Sequence, residues 1–299
     1  MNVDEFTATH TPSKRVLVVG LTGSGKSTLA LELTKYYKLH WIDIENGYET
    51  ILKLPKEQRD NINLIHIPDS ASFPIAANSL MSLFKSYKGD ICDKHGKFAC
   101  ALCKKEGLSF SSIDMNTMDN TKEIVVLDTA TQLSSSILAY NTKDKPVDYK
   151  PERDDWGSLR KHTEFFASQF QGCPGNLIVI CHATEAELED GKRKLVPQFG
   201  SAGMSANFGS KFSHIIYCEV VNRKHKYYSA STHSNNVLTR SRTDFRIEDM
   251  SEPSLRPIFD AVLADSLGIG TGLEEVAPTQ GQVATTNLKE KLAAMKGNK

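Results

Sequence analysis

Gly20-Leu-Thr-Gly-Ser-Gly-Lys-Ser27 follows directly on the apolar run Val16-Leu-Val-Val19. The stretch reads as a strand, Arg15 to Val19, that enters a glycine loop and leaves as a helix from Ser27 to about Tyr37. This is the context required of a Walker A phosphate loop. Three glycines, Gly20, Gly23 and Gly25, let the backbone curl so that successive N–H groups point inward. The helix N-terminus adds partial positive charge to that cradle. Leu21, Thr22, Ser24 and Thr28 complete the binding stretch. Lys26 is placed to reach the β- and γ-phosphates of a nucleoside triphosphate, and the Ser27 hydroxyl to ligate Mg²⁺. A solvated glycine turn is the bland alternative.

Length and composition bound the rest. A chain of 299 residues, 39% hydrophobic, can bury one substantial core with attachments. Thirty-six basic and thirty-six acidic side chains cancel, so a nucleic-acid partner would be held by a local patch and not by a global field. Met1 to Ser13 form a polar tail with no apolar signal core, and no run of eighteen apolar residues occurs. These features lead us to expect a cytoplasmic protein without membrane contact. Six cysteines in a reducing compartment then point to metal more than to disulfides.

Further along, His40-Trp-Ile-Asp-Ile-Glu45 is a short strand ending in carboxylates. Open parallel sheets deliver functional groups at their carboxyl ends, so Glu45 is expected to face the γ-phosphate and deprotonate the attacking water. Alternatively, Asp43 and Glu45 merely cap the turn at Asn46-Gly47. A strand over Asn63 to Ile67 and an amphipathic helix over Pro74 to Tyr87 follow, with Leu80, Leu83 and Phe84 at core spacing. Next, Cys92-x2-His95-x4-Cys100-x2-Cys103 offers two close-spaced ligand pairs, as a tetrahedral Zn²⁺ needs. We read a structural zinc knuckle inserted over 89–107. Six lysines against three acids between Lys85 and Glu106 fit either a nucleic-acid contact or a solvated surface.

Glu123-Ile-Val-Val-Leu-Asp128 has the Walker B pattern, a buried strand whose terminal carboxylate would hold Mg²⁺ beside Ser27. A helix over Thr129 to Tyr140, a charged loop, and a helix over Trp156 to Gln171 come next. Asn176 to Cys181 is a further central strand. It ends at His182, which could sense the γ-phosphate or simply bond a neighbouring loop. A β-hairpin is expected around Asp190-Gly191. Gly200 to Lys211 is rich in small residues, with Phe199, Met204 and Phe208 as its large apolar side chains. Seven Lys or Arg and one acid lie between Lys192 and Lys226. We expect a mobile loop that tracks single-stranded DNA through Gly200, Gly203, Met204, Asn207, Phe208, Gly209 and Lys211. His214 to Val221, Lys226 to Ser231 and Val237 to Arg242 read as an antiparallel extension of the sheet. Arg240 or Arg242, or a basic residue within Arg223 to Lys226, could reach a neighbouring subunit's γ-phosphate as an arginine finger; a charged edge strand is the alternative.

Together, Gly20 to Thr28, Ile42-Asp-Ile-Glu45, Ile124 to Asp128, His182 and Gly200 to Gly209 resemble the RecA-type ATPase core. The chain is similar in particular to phage RecA-like ATPases that act as ATP-dependent single-strand annealing proteins. The resemblance spans about Lys14 to Arg246. It implies an α/β fold with a mostly parallel sheet flanked by helices, Glu45 as catalytic glutamate, Asp128 as the Walker B aspartate, and Gly200 to Gly209 as the second DNA-binding loop. ATP, Mg²⁺, single-stranded DNA and a ring or filament of identical subunits follow from it. Two departures stand out: His182 occupies the place where such recombinases usually carry glutamine, and the zinc knuckle is additional. A ring helicase or helicase loader, a small-molecule kinase and a nucleotide-regulated scaffold are the rival functions.

After a core over 14–248, Leu255 to Leu267 predicts a short helix within 249–268. Residues 269–285 have linker composition. Asn287 and Glu290 cap a helix over 286–299, with Leu288, Leu292 and Met295 on one face. That helix could dock on a neighbouring subunit or a single-strand-binding protein.

Overall fold

A computed structural model describes residues 13–146, 148–187, 193–229, 237, 239–243 and 245–267. The N-terminal tail, the hairpin tip at Asp190-Gly191, the linker and the C-terminal amphipathic helix expected from the sequence lie outside the described residues.

The loop-bearing strand β1 (Arg15–Gly20) lies in the middle of the sheet. The remaining strands are β2 (Lys38–Asp43), β3 (Ile62–His66), β4 (Lys88–Cys92), β5 (Phe110–Asp114), β6 (Glu123–Asp128), β7 (Leu177–Glu187), β8 (Arg193–Pro197), β9 (His214–Val221) and β10 (Lys224–Tyr228). The main sheet runs β10-β9-β1-β7-β6-β2-β3, with β8 folded back on the far half of β7. From β9 to β3 every pairing is parallel. β4 and β5 form a separate hairpin. The longer helices are α1 (Lys26–Leu31), α2 (Ile75–Ser86), α3 (Ala101–Lys105, in the insertion), α4 (Ala130–Thr142), α5 (Arg153–Gln171) and α6 (Ala202–Phe208). This is a mixed α/β architecture of the P-loop NTPase kind.

Buried strands of a parallel sheet are apolar on both faces because helices cover both. Here Leu17, Val19, Val125, Leu127 and Val179 pack on one side with Leu80, Phe84, Phe166 and Phe170 of α2 and α5. Val16, Val18, Ile124, Val126 and Ile178 pack on the other with Leu29, Leu33 and Trp41. Alternate residues of a single run therefore fill two cores.

Several expectations need correction. β9 joins β1 in parallel, because the chain returns to the amino edge through α6 before entering it. Of the strands expected to extend the sheet in this way, only β10 is antiparallel, and it starts at Lys224. Among the described residues, Val237–Arg242 contributes no strand. It makes two isolated bridges, Val237 to Leu195 and Arg240 to Ile215. The helix after the glycine loop is α-helical only to Leu31 and tightens into a 3-10 turn over Glu32–Lys35, where the Thr34 hydroxyl donates to the Leu31 carbonyl at 2.7 Å. The segment after the core is two short helices, Arg256–Phe259 and Ala261–Ser266.

The largest departure is the expected mobile loop. Ser201 caps α6 by accepting the Met204 N–H, and Gly209–Lys211 continues as a 3-10 turn. Phe199, Phe208 and Phe212 are fully buried, and the Phe199 and Phe208 rings stack at 4.3 Å. Aromatics anchor the segment in the core, while Ala202, Gly203, Asn207 and Ser210 are exposed. Phe208 and Gly209, both buried, are therefore not available to a DNA strand.

At the amino edge, His214 is buried, with its Nδ1 3.2 Å from the Ser241 hydroxyl. Burial pushes its pKa down to about 4, and Lys14, Arg242 and Arg240 push the same way. An unfolded histidine takes up a proton near pH 6.5, the folded one only near 4. Stability should therefore fall as pH drops through that window, by up to roughly 3 kcal/mol from this group. Denaturant unfolding at pH 7, 5.5 and 4 should show the loss, and His214→Gln should flatten it.

Candidate active site at the carboxyl edge of the sheet

The sheet register brings the polar strand ends together. Gly20 lies opposite His182, Asp43 opposite Asp128, and Asp128 opposite Ile180 just before the β7 polar end. β7 separates the loop strand from the Walker B strand, yet α1 leans back across it. The Ser27 hydroxyl donates to Asp128 Oδ2 at 2.9 Å.

The glycines of the loop are set by their neighbours. Gly23 and Gly25 adopt left-handed backbone, φ 74° and 89°, which side chains with a Cβ resist. A Cβ on Gly20 would sit 2.3 Å from the Cys218 carbonyl oxygen of β9. On Gly25 it would lie 2.8 Å from His225 Nδ1 and 3.0 Å from the Tyr227 hydroxyl, both on β10. Lys26 is buried and donates to the Leu21 carbonyl at 2.9 Å. Burial lowers its pKa, against the pull of nearby groups including Asp128 and Glu45. Ser24 Oγ is buried without a hydrogen-bond partner, at the mouth of a cradle built for anionic oxygens.

Glu45 follows β2 directly. Its Oε1 lies 2.9 Å from His182 Nε2, and His182 Nδ1 lies 3.4 Å from the Thr22 hydroxyl of the loop. Burial would raise the Glu45 carboxyl, but the His182 hydrogen bond and charge, a Thr129 hydrogen bond and the Lys26 charge together hold it below its ordinary value. Asp128 behaves oppositely. Burial pushes it up to about 7; the Ser27 bond opposes this, while repulsion from Glu45 and Asp43 adds to it. A buried carboxylate ringed by two others and bonded to a serine hydroxyl is a donor set that suits a hard divalent cation. The loop therefore fits a triphosphate, and Ser27 with Asp128 fits its Mg²⁺.

The sequence-predicted residues Gly20 to Thr28, Lys26, Glu45, Asp128 and His182 converge. The Gly200–Lys211 segment attaches beside them, since Gln198 N–H donates to the His182 carbonyl and Gly200 N–H to the Ser134 hydroxyl. Arg240 and Arg242 do not converge with these groups. Arg240 pairs with Ile215 at the start of β9, the sheet edge opposite the phosphate loop. Arg223, in contrast, turns the β9–β10 hairpin with φ 63°, at the carboxyl end of β9. His225 and Tyr227 of β10 were not legible beforehand, because only the strand order lays β10 over Gly25.

One residue does more than the sequence suggested. Asp43 is fully buried; its Oδ1 accepts the N–H groups of Glu45 and Gly47 at 3.2 and 3.0 Å, and its Oδ2 that of Tyr48 at 3.2 Å. His66 Nδ1 lies 3.4 Å from the same Oδ2. Asp43 thus holds the turn that carries Glu45.

A second cluster lies in the insertion. The ligand atoms of Cys92, His95, Cys100 and Cys103 all fall within 4.8 Å of one another. His95 Nδ1 is 3.1 Å from Cys103 Sγ. Two turns, one closing β4 and one opening α3, present the four groups to a common point, a set compatible with Zn²⁺.

A family model described as an AAA domain matches residues 13–243, well over half of the chain. The chain belongs to this AAA family of P-loop NTPases. No curated protein matches it. The AAA domain thus includes every element that builds the site, from β1 to the β9–β10 hairpin, and its match implies a nucleotide and Mg²⁺ at the loop.

Removing the buried Asp43 acceptor strips three backbone N–H groups of their partner in a partly exposed turn. Asp43→Ala should cost about 1–3 kcal/mol in denaturant unfolding. It should also slow nucleotide turnover while leaving nucleotide affinity near that of the parent, as read by steady-state kinetics and equilibrium titration.

Proposed function

We propose that this AAA domain hydrolyses ATP and couples the nucleotide state to binding of single-stranded DNA, promoting strand annealing or exchange. The observation that carries the reading is the chain Thr22, His182, Glu45. It joins the phosphate loop, a carboxylate held in its ionised form, and the strand from which the β7–β8 hairpin and the Gly200 segment continue. Gly20 to Thr28 bind the triphosphate, and Lys26 leaves the Leu21 carbonyl for the β- and γ-phosphates. Mg²⁺ held by Ser27 and Asp128 supplies neutralisation of phosphate charge. Glu45 takes the proton of a water that attacks the γ-phosphorus, giving ADP and inorganic phosphate. His182, bonded to both Glu45 and Thr22, registers phosphate loss and passes it along β7. Identical subunits assemble on the strand, and the C-terminal segment offers a docking point for a single-strand-binding protein.

The DNA part of this reading rests on the basic residues around β8 and the β9–β10 hairpin, and on the outward residues Gly203, Met204, Asn207 and Lys211. The buried aromatics of the Gly200 segment do not support it. The Cys92, His95, Cys100 and Cys103 cluster holds a structural Zn²⁺ that stabilises the β4–β5 insertion.

ATPase assays with and without single-stranded DNA test the first claim. The parent should be stimulated by the strand. Glu45→Gln should lose at least about a hundredfold in turnover while still binding ATP, and Lys26→Ala should lose nucleotide binding. Turnover that depends on a small phosphoryl acceptor and ignores DNA would instead mark a kinase, and directional unwinding of duplexes a helicase. For the metal, elemental analysis of protein purified without chelator should return one zinc per chain. A strong chelator, or Cys100→Ser, should lower the thermal midpoint; zinc-free protein with an unchanged midpoint would remove the assignment.

A further inference from the structure

On the outer helical face, the insertion and the body of the domain enclose a recess of about 440 Å³ that the nucleotide site does not use. Phe73, Asn78, Lys97, Phe98, Tyr140 and Lys143 line it, together with the carboxylate of Asp144. Three aromatic rings and two lysines thus share one small recess. Phe73 is 46% exposed although it is large and apolar. Lys97 Nζ lies 5.4 Å above the Phe73 ring, and Lys143 Nζ 4.4 Å above the Tyr140 ring.

The walls are preformed. Ser79 of α2, itself buried, donates to the Gly96 carbonyl at 2.8 Å and accepts the Phe98 N–H at 3.2 Å. Gly89 leaves room for the Phe98 ring, which would lie 2.1 Å from a Cβ there. Ser70 and Phe73 exchange two backbone hydrogen bonds, closing the turn that presents the Phe73 ring. At the root of that turn the buried Asp69 carboxylate accepts Ala76 N–H, the Ser136 hydroxyl and Gln132 Nε2 at 2.8, 2.8 and 3.0 Å. The turn is thereby tied to α4, the helix that starts beside Glu45 at Thr129 and carries Tyr140 at its other end.

We propose that this recess is a binding subsite for single-stranded nucleic acid, with Phe73 and Tyr140 stacking bases and Lys97 and Lys143 pairing with the adjoining phosphates. The subsite deepens the single-strand reading above and rests on it. The chemistry matches a bare strand, because aromatic faces accept any unpaired base and flexible ammonium groups follow the backbone without reading sequence. An exposed cation over each ring places positive charge one side-chain length from the stacking surface, where a phosphate flanking a stacked base needs it. Asn78, exposed at the start of α2, adds a donor and an acceptor for a base edge. Because Lys97 and Phe98 lie between His95 and Cys100, the metal cluster is also the fastener of one wall.

The test uses the full chain with ATP and Mg²⁺, and fluorescence anisotropy of a labelled oligothymidylate. Phe73→Ala should weaken binding roughly tenfold, the loss of one stacked base. Lys97→Ala with Lys143→Ala should reduce the slope of log affinity against log salt by about 1.4, two phosphate contacts on a single strand. The exposed control Lys56→Ala should bind like the parent. In a Trp156→Phe background, Phe73→Trp should keep affinity, and its emission should be quenched when the strand is added, a readout that altered stability does not produce. If the parent binds the strand and both the alanine variants and the tryptophan emission are unaffected, the recess is not part of the DNA path and the proposal falls alone. If the parent binds no single strand in any nucleotide state, the single-strand reading falls and takes the subsite with it. Preferential capture of an acidic peptide, lost in the same variants, would assign the recess to a protein partner and equally overturn the proposal.

Discussion

The register of the parallel strands β1, β7, β6 and β2 is the constraint on which the rest of the molecule depends. Four apolar runs from remote parts of the chain all end at one edge, in the glycine loop at Gly20 and in the polar groups His182, Asp128 and Asp43 with Glu45. A shift of one residue in any pairing would turn a whole side-chain set to the opposite face. It would also move a carboxylate away from the loop by one strand step, about 3.3 Å. The two apolar cores prevent that slip, since Val16 and Leu17, or Val126 and Leu127, fill opposite sides of the sheet and cannot trade places. Packing on both faces thus fixes chemistry at the edge.

The site combines charges of opposite tendency. Lys26 is depressed by burial, Asp128 is raised by it, and Glu45 is held low by His182 against it. Asp128 and Lys26, both buried, meet the half-exposed Glu45 at one edge, and the buried Ser24 hydroxyl beside them has no partner. Such a cluster is costly unless a ligand completes it. A triphosphate with its divalent cation supplies the missing charges of both signs, which explains why a stable fold retains the arrangement. Asp43 has both side-chain oxygens occupied by backbone N–H groups. It therefore serves the geometry of the turn while Glu45 remains free on the side of His182.

Much of this was legible from local patterns. The Walker A run, the β6 strand over Glu123–Asp128 and the Cys92 to Cys103 spacing depend on residues close in sequence, and each appears where expected. What escaped the sequence was set at long range. Nothing in His214–Val221 says that it pairs parallel to β1, since an apolar strand reads the same in either direction. The glycine and serine content of Gly200–Lys211 suggested a loop, but Phe199 and Phe208 meet Phe170, Phe212 meets Phe208, and burial of those rings outweighs the weak helix propensity of the small residues between them. His225 and Tyr227 near Gly25, and Asp43 beneath Glu45, likewise follow from strand order and not from spacing.

The insertion shows how a local motif acquires meaning from its place in the fold. Cys92 to Cys103 could have closed a knuckle anywhere on the surface. Its actual seat is the outer edge of β3, where Gly96 packs against Ile67 and Pro68 so closely that a Cβ would lie 2.8 Å from both. Ser111 Oγ donates to the Leu64 carbonyl and Asn63 Nδ2 to the Ser112 carbonyl, so the β4–β5 hairpin covers a strand edge that would otherwise be open to pairing with another chain. The same β3 carries His66 beside Asp43 and leads through Asp69 to the Phe73 turn. One strand thus carries the insertion along its edge, the side chain beside Asp43 at its end, and the Phe73 turn beyond it.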